Sequence, residues 1–337
     1  MLAYAARRLL LAIPTVVGIT LLTFLVGHGL PHDLVLVNLG DRASHDPGLV
    51  QAFRHRLGLD RPLPVQYLIH LNNIVHGDLG VSIATNRAVR EELWLALPAT
   101  IELAVVAVVV ALPPGIFFGI LAASRRNSFW DLLTRSFAVV GLAVPTFWLA
   151  LLLLIVFYFH LGWAVGPGRL DAGFAPPPAL TGMYTIDAFV ARDYPLFWNA
   201  IAHLLLPAAV LAIICCSFIA RVTREKMVEV LGQDYIRVAH AKGLSGIRVV
   251  TSHALRNALI PVMTVAGTLF AQLMAGSVLT ETIFSWPGLG RYAFSSASNL
   301  DFPAIMGVAL AVGLIYTAIN LAVDLIYGLV NPRIRFE

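Results

Sequence analysis

Of 337 residues, 58% are hydrophobic and only 12% charged, about half the charge of an ordinary soluble domain, so water is not the solvent for most of this chain. A formal charge of +4 does not signal nucleic acid, because the basic residues stand beside long apolar runs, where membrane topology puts them. The two cysteines, Cys215 and Cys216, are adjacent, which excludes a disulfide framework and leaves them as small buried apolar side chains.

A helix needs about 20 apolar residues to cross the hydrocarbon core. Six runs meet that need, at roughly 9–29, 97–123, 132–160, 200–221, 258–282 and 304–330. They predict an all-α polytopic membrane protein of about six transmembrane helices, since a closed barrel would show short alternating segments instead. Arg7 and Arg8 precede the first run, which is longer than the apolar region of a secretory signal and is expected to stay as a span. Pro14, Pro113, Pro114, Pro145 and Pro207 fall within or at the ends of the runs, where neighbouring helices can satisfy the freed backbone groups.

The organisation expected is residues 1–29 as the N-terminal segment and first span, 30–96 as a long first outer loop, and 97–337 as a five-span core. Within the first outer loop, a short helix is expected around Val65–Ile74. A second outer loop, 161–199, is marked as irregular by Gly166, Pro167, Gly168 and Pro176–Pro178. With the N-terminus inside, the inner segments hold 14 of the 23 Lys and Arg residues, so both termini are expected to be cytoplasmic.

The inner loop, 222–257, is the most informative segment. Tyr235, Val238 and Ala239 at i, i+3 and i+4 predict one apolar helical face, with Arg237 and Lys242 off it. Gly243 suits a left-handed helix end, and Ser245 suits the N-cap of a second helix that starts near Gly246 and runs towards Pro261. A helix resting on lipid headgroups is one account. The small side chains of Ala239, Ala241 and Gly243 favour another, close approach to a protein surface.

Polar residues near the spans have bland and functional readings. Glu102, near the outer end of the second span, either lines a pathway or pairs near the interface, and pairing is the expected role. Asn320 and Asp324, at i and i+4 on one face of the last span, read as residues that hydrogen-bond to a neighbouring helix, and His203 is ambiguous in the same way. Glu281, Trp286, Pro287, Gly288 and Gly290 suit either a tight turn with an interfacial anchor or part of an outer gate. Pro31 between His28 and His32 argues against a metal pair, so no metal site is expected. Neither a phosphate-binding Gly-x4-Gly-Lys-Ser/Thr loop nor a hydrolase motif occurs in the sequence.

"DYIRVAHAKGLS" followed by "HALRNALIPV" resembles the conserved inner loop of permeases in binding-protein-dependent ABC importers. That loop has the form Glu-Ala-Ala, three residues, Gly, then a downstream Leu-Pro. Here Arg237 and Val238 replace Glu and the first Ala, Ala239 and Gly243 match, and the pair is Ile260–Pro261, departures that resemble the peptide and nickel branch. "RRLLLAIPTVVGITLLTFLVGHGLP", "LGLDRPLPVQY", "GDLGVSI", "ETIFSWPGLGR" and "NLAVDLIYGLVNPRIR" are similar to further segments of that branch, most of all in the B-type permease of dipeptide transporters. His32 and Leu34 depart from its His-x-x-Pro-Gly-Asp-Pro turn.

The resemblance implies a type I importer permease fold in a bacterial cytoplasmic membrane. It also implies a second permease, two ATP-binding subunits that bring ATP and Mg, and an external binding protein. This chain itself is expected to carry no cofactor and no catalytic residue. Asp234, Tyr235, Arg237, Val238, Ala239, Ala241, Lys242, Gly243, Leu244 and Ser245 are the residues the resemblance assigns to a coupling helix on the ATP-binding subunit. Import of small peptides, dipeptides above all, is the implied function; nickel or another small solute on the same scaffold, a polytopic membrane enzyme, or a membrane scaffold are the alternatives.

Overall fold

A computed structural model describes residues 2–29, 48, 51 and 60–330. Most of the first outer loop, His32 and Leu34 included, lies outside the described residues, as do Arg333 and Arg335. Thirteen helices carry the described chain: α1 Leu2–Gly29, α2 Leu63–Val75, α3 Val89–Ser124, α4 Phe129–Ala143, α5 Thr146–Leu153, α6 Tyr184–Val190, α7 Tyr194–Leu231, α8 Asp234–Ala241, α9 Gly246–Arg248, α10 Leu255–Gly276, α11 Val278–Ile283, α12 Leu289–Ser298 and α13 Phe302–Val330. Residues Leu154–His160 after α5 and Val249–Ala254 between α9 and α10 wind as π-helix. Among the described residues, the only strand pairing is an isolated bridge between Val81 and Ala88.

Four of these helical stretches are long and apolar enough to cross a membrane: α3, α7, the continuous run Gly246–Ala275, and α13. The expected third span is not one helix. It breaks between α4 and the Thr146–His160 segment with a bend of 101°. Proline disfavours helical backbone in the residue before it, and Val144 and Pro145 are both extended. Read as one broken span, the pair is a fifth crossing. The 28-residue α1 takes the remaining expected position, with Ile13–Leu25 as its described apolar stretch.

The helices also overrun the expected loops. α3 begins at Val89, with Glu91 and Glu92 in its first turn, where acidic groups complement the helix dipole. Asp193 caps α7 by accepting from the Leu196 N–H at 3.1 Å, so that helix starts six residues before the apolar run and continues to Leu231. The fifth run ends as helix at Gly276, which leaves Glu281 on the separate short helix α11. The helix expected around Val65–Ile74 is α2. It is held on α1 by the Tyr67 hydroxyl, 2.9 Å from Thr20 Oγ1, and by ring contact with Phe24.

α3 and α7 run parallel and form the centre. Gly115 faces Ile219 and Gly119 faces Thr223 so closely that a methyl group at either glycine would clash; small residues let membrane helices approach and gain dispersion contact. Cys215 and Cys216 are buried free thiols in this packing. α4 lies antiparallel against α7, with Gly141 on Ser217. α13 packs on α1 and α10. Its first turn is tied to the "GDLGVSI" segment, where the Ser82 hydroxyl and the Ala84 N–H donate to Asp301 at 2.5 and 3.2 Å.

Candidate functional site

Two constructions stand at opposite ends of the bundle. At one end, α7 finishes and the chain turns into α8. The helix stops in a Schellman arrangement: the Leu244 N–H reaches the Ala239 carbonyl at 3.4 Å and the Gly243 N–H reaches His240 at 2.9 Å, with Gly243 at φ +77°. Ser245 then precedes a helix starting at Gly246, but its backbone alone does so, since its side chain makes no capping bond.

The buried face of α8 differs from the one the sequence predicts. Ile236 and Ala239 point inward against Met227, Val249 and Ala254, while Tyr235 and Val238 are 42% and 52% exposed. The reason is rotational: residues three apart share a face, and Ile236–Ala239 competes with Tyr235–Val238 for the seat on the bundle. Ile236 is the residue the sequence reading passed over. Ala241, Lys242, Gly243 and Ser245 are exposed and Leu244 half-buried. Arg237 pairs with Asp234 at 3.2 Å, both largely exposed, a contact of little energetic weight. Asn257 of α10 donates to the Tyr235 hydroxyl at 2.7 Å, which fixes the outward ring to the bundle.

At the other end, Glu281 is fully buried. It accepts from Thr100 Oγ1 at 2.8 Å, Ser277 Oγ at 2.7 Å and the Arg291 N–H at 2.9 Å. The Trp286 indole N–H donates to the Ala99 carbonyl at 2.8 Å, and the Leu289 N–H to Thr100 Oγ1 at 2.8 Å. Gly288 and Gly290 are obligatory by space: a methyl group at either would meet the Glu281 carboxylate. Pro287 completes the turn between Trp286 and Gly288. This group fastens α11, α12 and their connection onto α3.

Glu102, two residues along α3 from Thr100, is 3% exposed. It receives Arg169 Nη2 at 2.5 Å, and the Thr185 N–H and hydroxyl at 2.8 and 2.6 Å. The Arg169 guanidinium stacks 3.5 Å from the Tyr184 ring centroid. Pairing, the role expected for Glu102, is therefore what it does in the structure, and it holds the segment from Arg169 to Thr185 against α3. His203 Nε2 lies 3.2 Å from Asp171. Burial pushes the Asp187 carboxyl of α6 up, but the Thr181 hydroxyl and nearby N–H groups outweigh this and hold it below its ordinary value. Asp187 thus adds stability above its unfolded pKa, and that contribution is lost as the pH falls through the depressed folded value. Protease cleavage of the 161–183 loop, followed in the full chain, is expected to rise in acid and stay flat around neutrality.

Arg169 and Thr100 could not be assigned from sequence, because each pairs with a residue far along the chain. The Asp131–Arg224 pair was missed as well. Asp131 is buried and bound by Arg224 through two bonds, at 2.5 and 3.0 Å. An isolated acid in the apolar stretch "FWDLLTRSF" was the available signal. Asn320 is half-buried on α13, and the Asp324 side chain lies outside the described residues. No group of three or more His, Cys, Asp or Glu side chains is placed to hold a metal among the described residues.

This arrangement, long spans packed through glycine with a short amphipathic helix seated across their ends, is that of a multi-pass permease. Residues 115–336 match the family described as binding-protein-dependent transport system inner membrane component, and residues 1–104 match its N-terminal companion. The chain belongs to that family and is a peptide-type ABC importer permease subunit of the inner membrane. It is 44% identical to the dipeptide transport system permease protein DppB of Alkalihalophilus pseudofirmus over 100% of both chains. It is 45% identical, again over 100% of both, to the di/tripeptide transport system permease protein DppB of Pseudomonas aeruginosa. A probable D,D-dipeptide transport system permease protein, DdpB of Escherichia coli, is 46% identical over 95% of this chain and 93% of its own.

Proposed function

We propose that this permease carries dipeptides inward and takes its power stroke through α8. The substrate reading rests on the full-length relatives, whose names specify dipeptides, di/tripeptides and D,D-dipeptides. The coupling reading rests on one observation: α8 is clamped from behind by Ile236 and Ala239 while Tyr235, Val238 and Ala241 remain outward. A helix so clamped transmits force to α7 and α10 as a rigid body. Its outward face is the seat for an ATP-binding subunit, which supplies ATP, Mg and hydrolysis. A second permease, a second ATP-binding subunit and an external binding protein complete the assembly, with both termini of this chain in the cytoplasm.

A groove of about 550 Å³ opens between α3, α10 and α13, lined by Val108, Leu112, Met263, Gly267 and Phe270. We assign it to the surface shared with the second permease and the route. Differential binding of ATP to the two states of the assembly drives the switch between inward-open and outward-open forms.

Ala241→Glu in the assembled transporter tests the coupling assignment. A charge forced against a docked protein surface weakens seating by a few kcal/mol, so uptake is expected to fall about tenfold or more while ATP hydrolysis persists. Unchanged dipeptide uptake would remove α8 as the docking element.

A further inference from the structure

At the α8 end, the contacts that join α4 to α7 include the Asp131–Arg224 ion pair and the close approach of Gly141 to Ser217. Between these lies a cleft of about 200 Å³. Its polar wall is Thr134, Arg135, Arg221, Arg224 and the Glu225 carboxylate; its apolar wall is Ala138, Val139 and Leu142. Arg224 is consumed by Asp131. Arg135 lies 3.7 Å from the same carboxylate, makes no hydrogen bond among the described residues, and its side chain is 51% exposed. Arg221 uses only its Nε on Glu225, at 3.1 Å. Three guanidinium groups therefore face two carboxylates, with outward N–H groups left on Arg135 and Arg221.

The level of the cleft is marked independently. Phe129 and Trp130, one turn before Thr134, are exposed and in ring contact, as aromatic side chains are where a span meets the headgroups. Beyond the arginines, Val139 and Val140 are exposed apolar side chains on α4, suited to an acyl chain. A site with partly committed guanidinium groups beside exposed interfacial aromatics and a bare aliphatic wall next to them fits one class of ligand.

We propose that this cleft binds an anionic phospholipid, its phosphate between Arg135 and Arg221 and one acyl chain along Val139 and Leu142. The lipid stabilises the α4–α7 pair next to the 101° break, and so holds the broken span in register with the helix that leads into α8. The Asp131–Arg224 pair keeps the cleft in shape, with Arg224 spent on the carboxylate rather than on the phosphate.

Native mass spectrometry of the full-length chain, extracted mildly with the partners it retains, tests this with dioleoyl phosphatidylglycerol and dioleoyl phosphatidylcholine as probes. Phosphatidylglycerol is expected to be retained at about 25-fold lower concentration, at about fivefold for each arginine. The double change Arg135→Gln, Arg221→Gln is expected to abolish that preference, and Arg135→Lys, Arg221→Lys to keep most of it. Equal retention of the two lipids by the unaltered chain would overturn the proposal without reference to any variant. So would a preference undiminished in the glutamine variant, or displacement of phosphatidylglycerol by an equal concentration of inorganic phosphate, which would make the cleft a free-phosphate site.

Discussion

Arg169→Met is expected to lower the stability of the folded chain by about 3–5 kcal/mol, the effect of stranding one half of a buried ion pair. Arg169 and Glu102 side chains are 6% and 3% exposed, at 2.5 Å, and water cannot reach in to solvate the carboxylate left behind. The guanidinium also bonds the Gly182 carbonyl at 3.1 Å and covers Tyr184, so its loss frees the loop that precedes α6. Thermal unfolding of the full chain in mild detergent reads the effect. The double change Glu102→Gln, Arg169→Met removes both charges and is expected to be less damaging than Arg169→Met alone. An unaltered melting temperature in the single variant would show that the pair carries no structural weight.

Glu281→Ala is the second large change. It leaves the Thr100 hydroxyl, the Ser277 hydroxyl and the Arg291 N–H without their acceptor. Each buried donor so abandoned costs about 1–3 kcal/mol, and the space cannot refill because Gly288 and Gly290 have no side chains to offer. Melting temperature and dipeptide uptake are expected to fall together. Glu281→Gln separates the two readings of this residue. If the fold survives at the unaltered melting temperature and uptake is lost, Glu281 acts in gating; if both decline in step, it acts as an anchor.

The spans were legible because lipid imposes a length and an apolar composition that few other structures need. Gly243 was legible because only a left-handed residue closes a Schellman turn cheaply. The break at Val144–Pro145 was not, since the run 132–160 is uniformly apolar and proline within a span need not interrupt it. The extension of α7 to Leu231 was hidden by the charges of "RVTREKMVEVL", which lie mostly on its exposed side while Thr223 and Met227 turn inward. The polar pairs were hidden for another reason: Glu102 meets Arg169 across 67 residues and Asp131 meets Arg224 across 93. One sequence carries no signal that couples such positions, whereas the glycine spacing in "WPGLG" reported its tight packing directly.

The same distances set a timetable for the nascent chain. Thr100 and Glu281 are separated by 181 residues, so the last acceptor of the outer knot leaves the ribosome long after α3 has entered the bilayer. Until Arg169 emerges, 67 residues on, α3 holds a carboxylate at Glu102 whose counter-charge is still unmade, a burden of a few kcal/mol in lipid that its long apolar helix outweighs. Arg169 relieves the first debt and Glu281 closes the second. This end of the bundle is thus completed only after α10 has been made, since Glu281 lies beyond it in the chain.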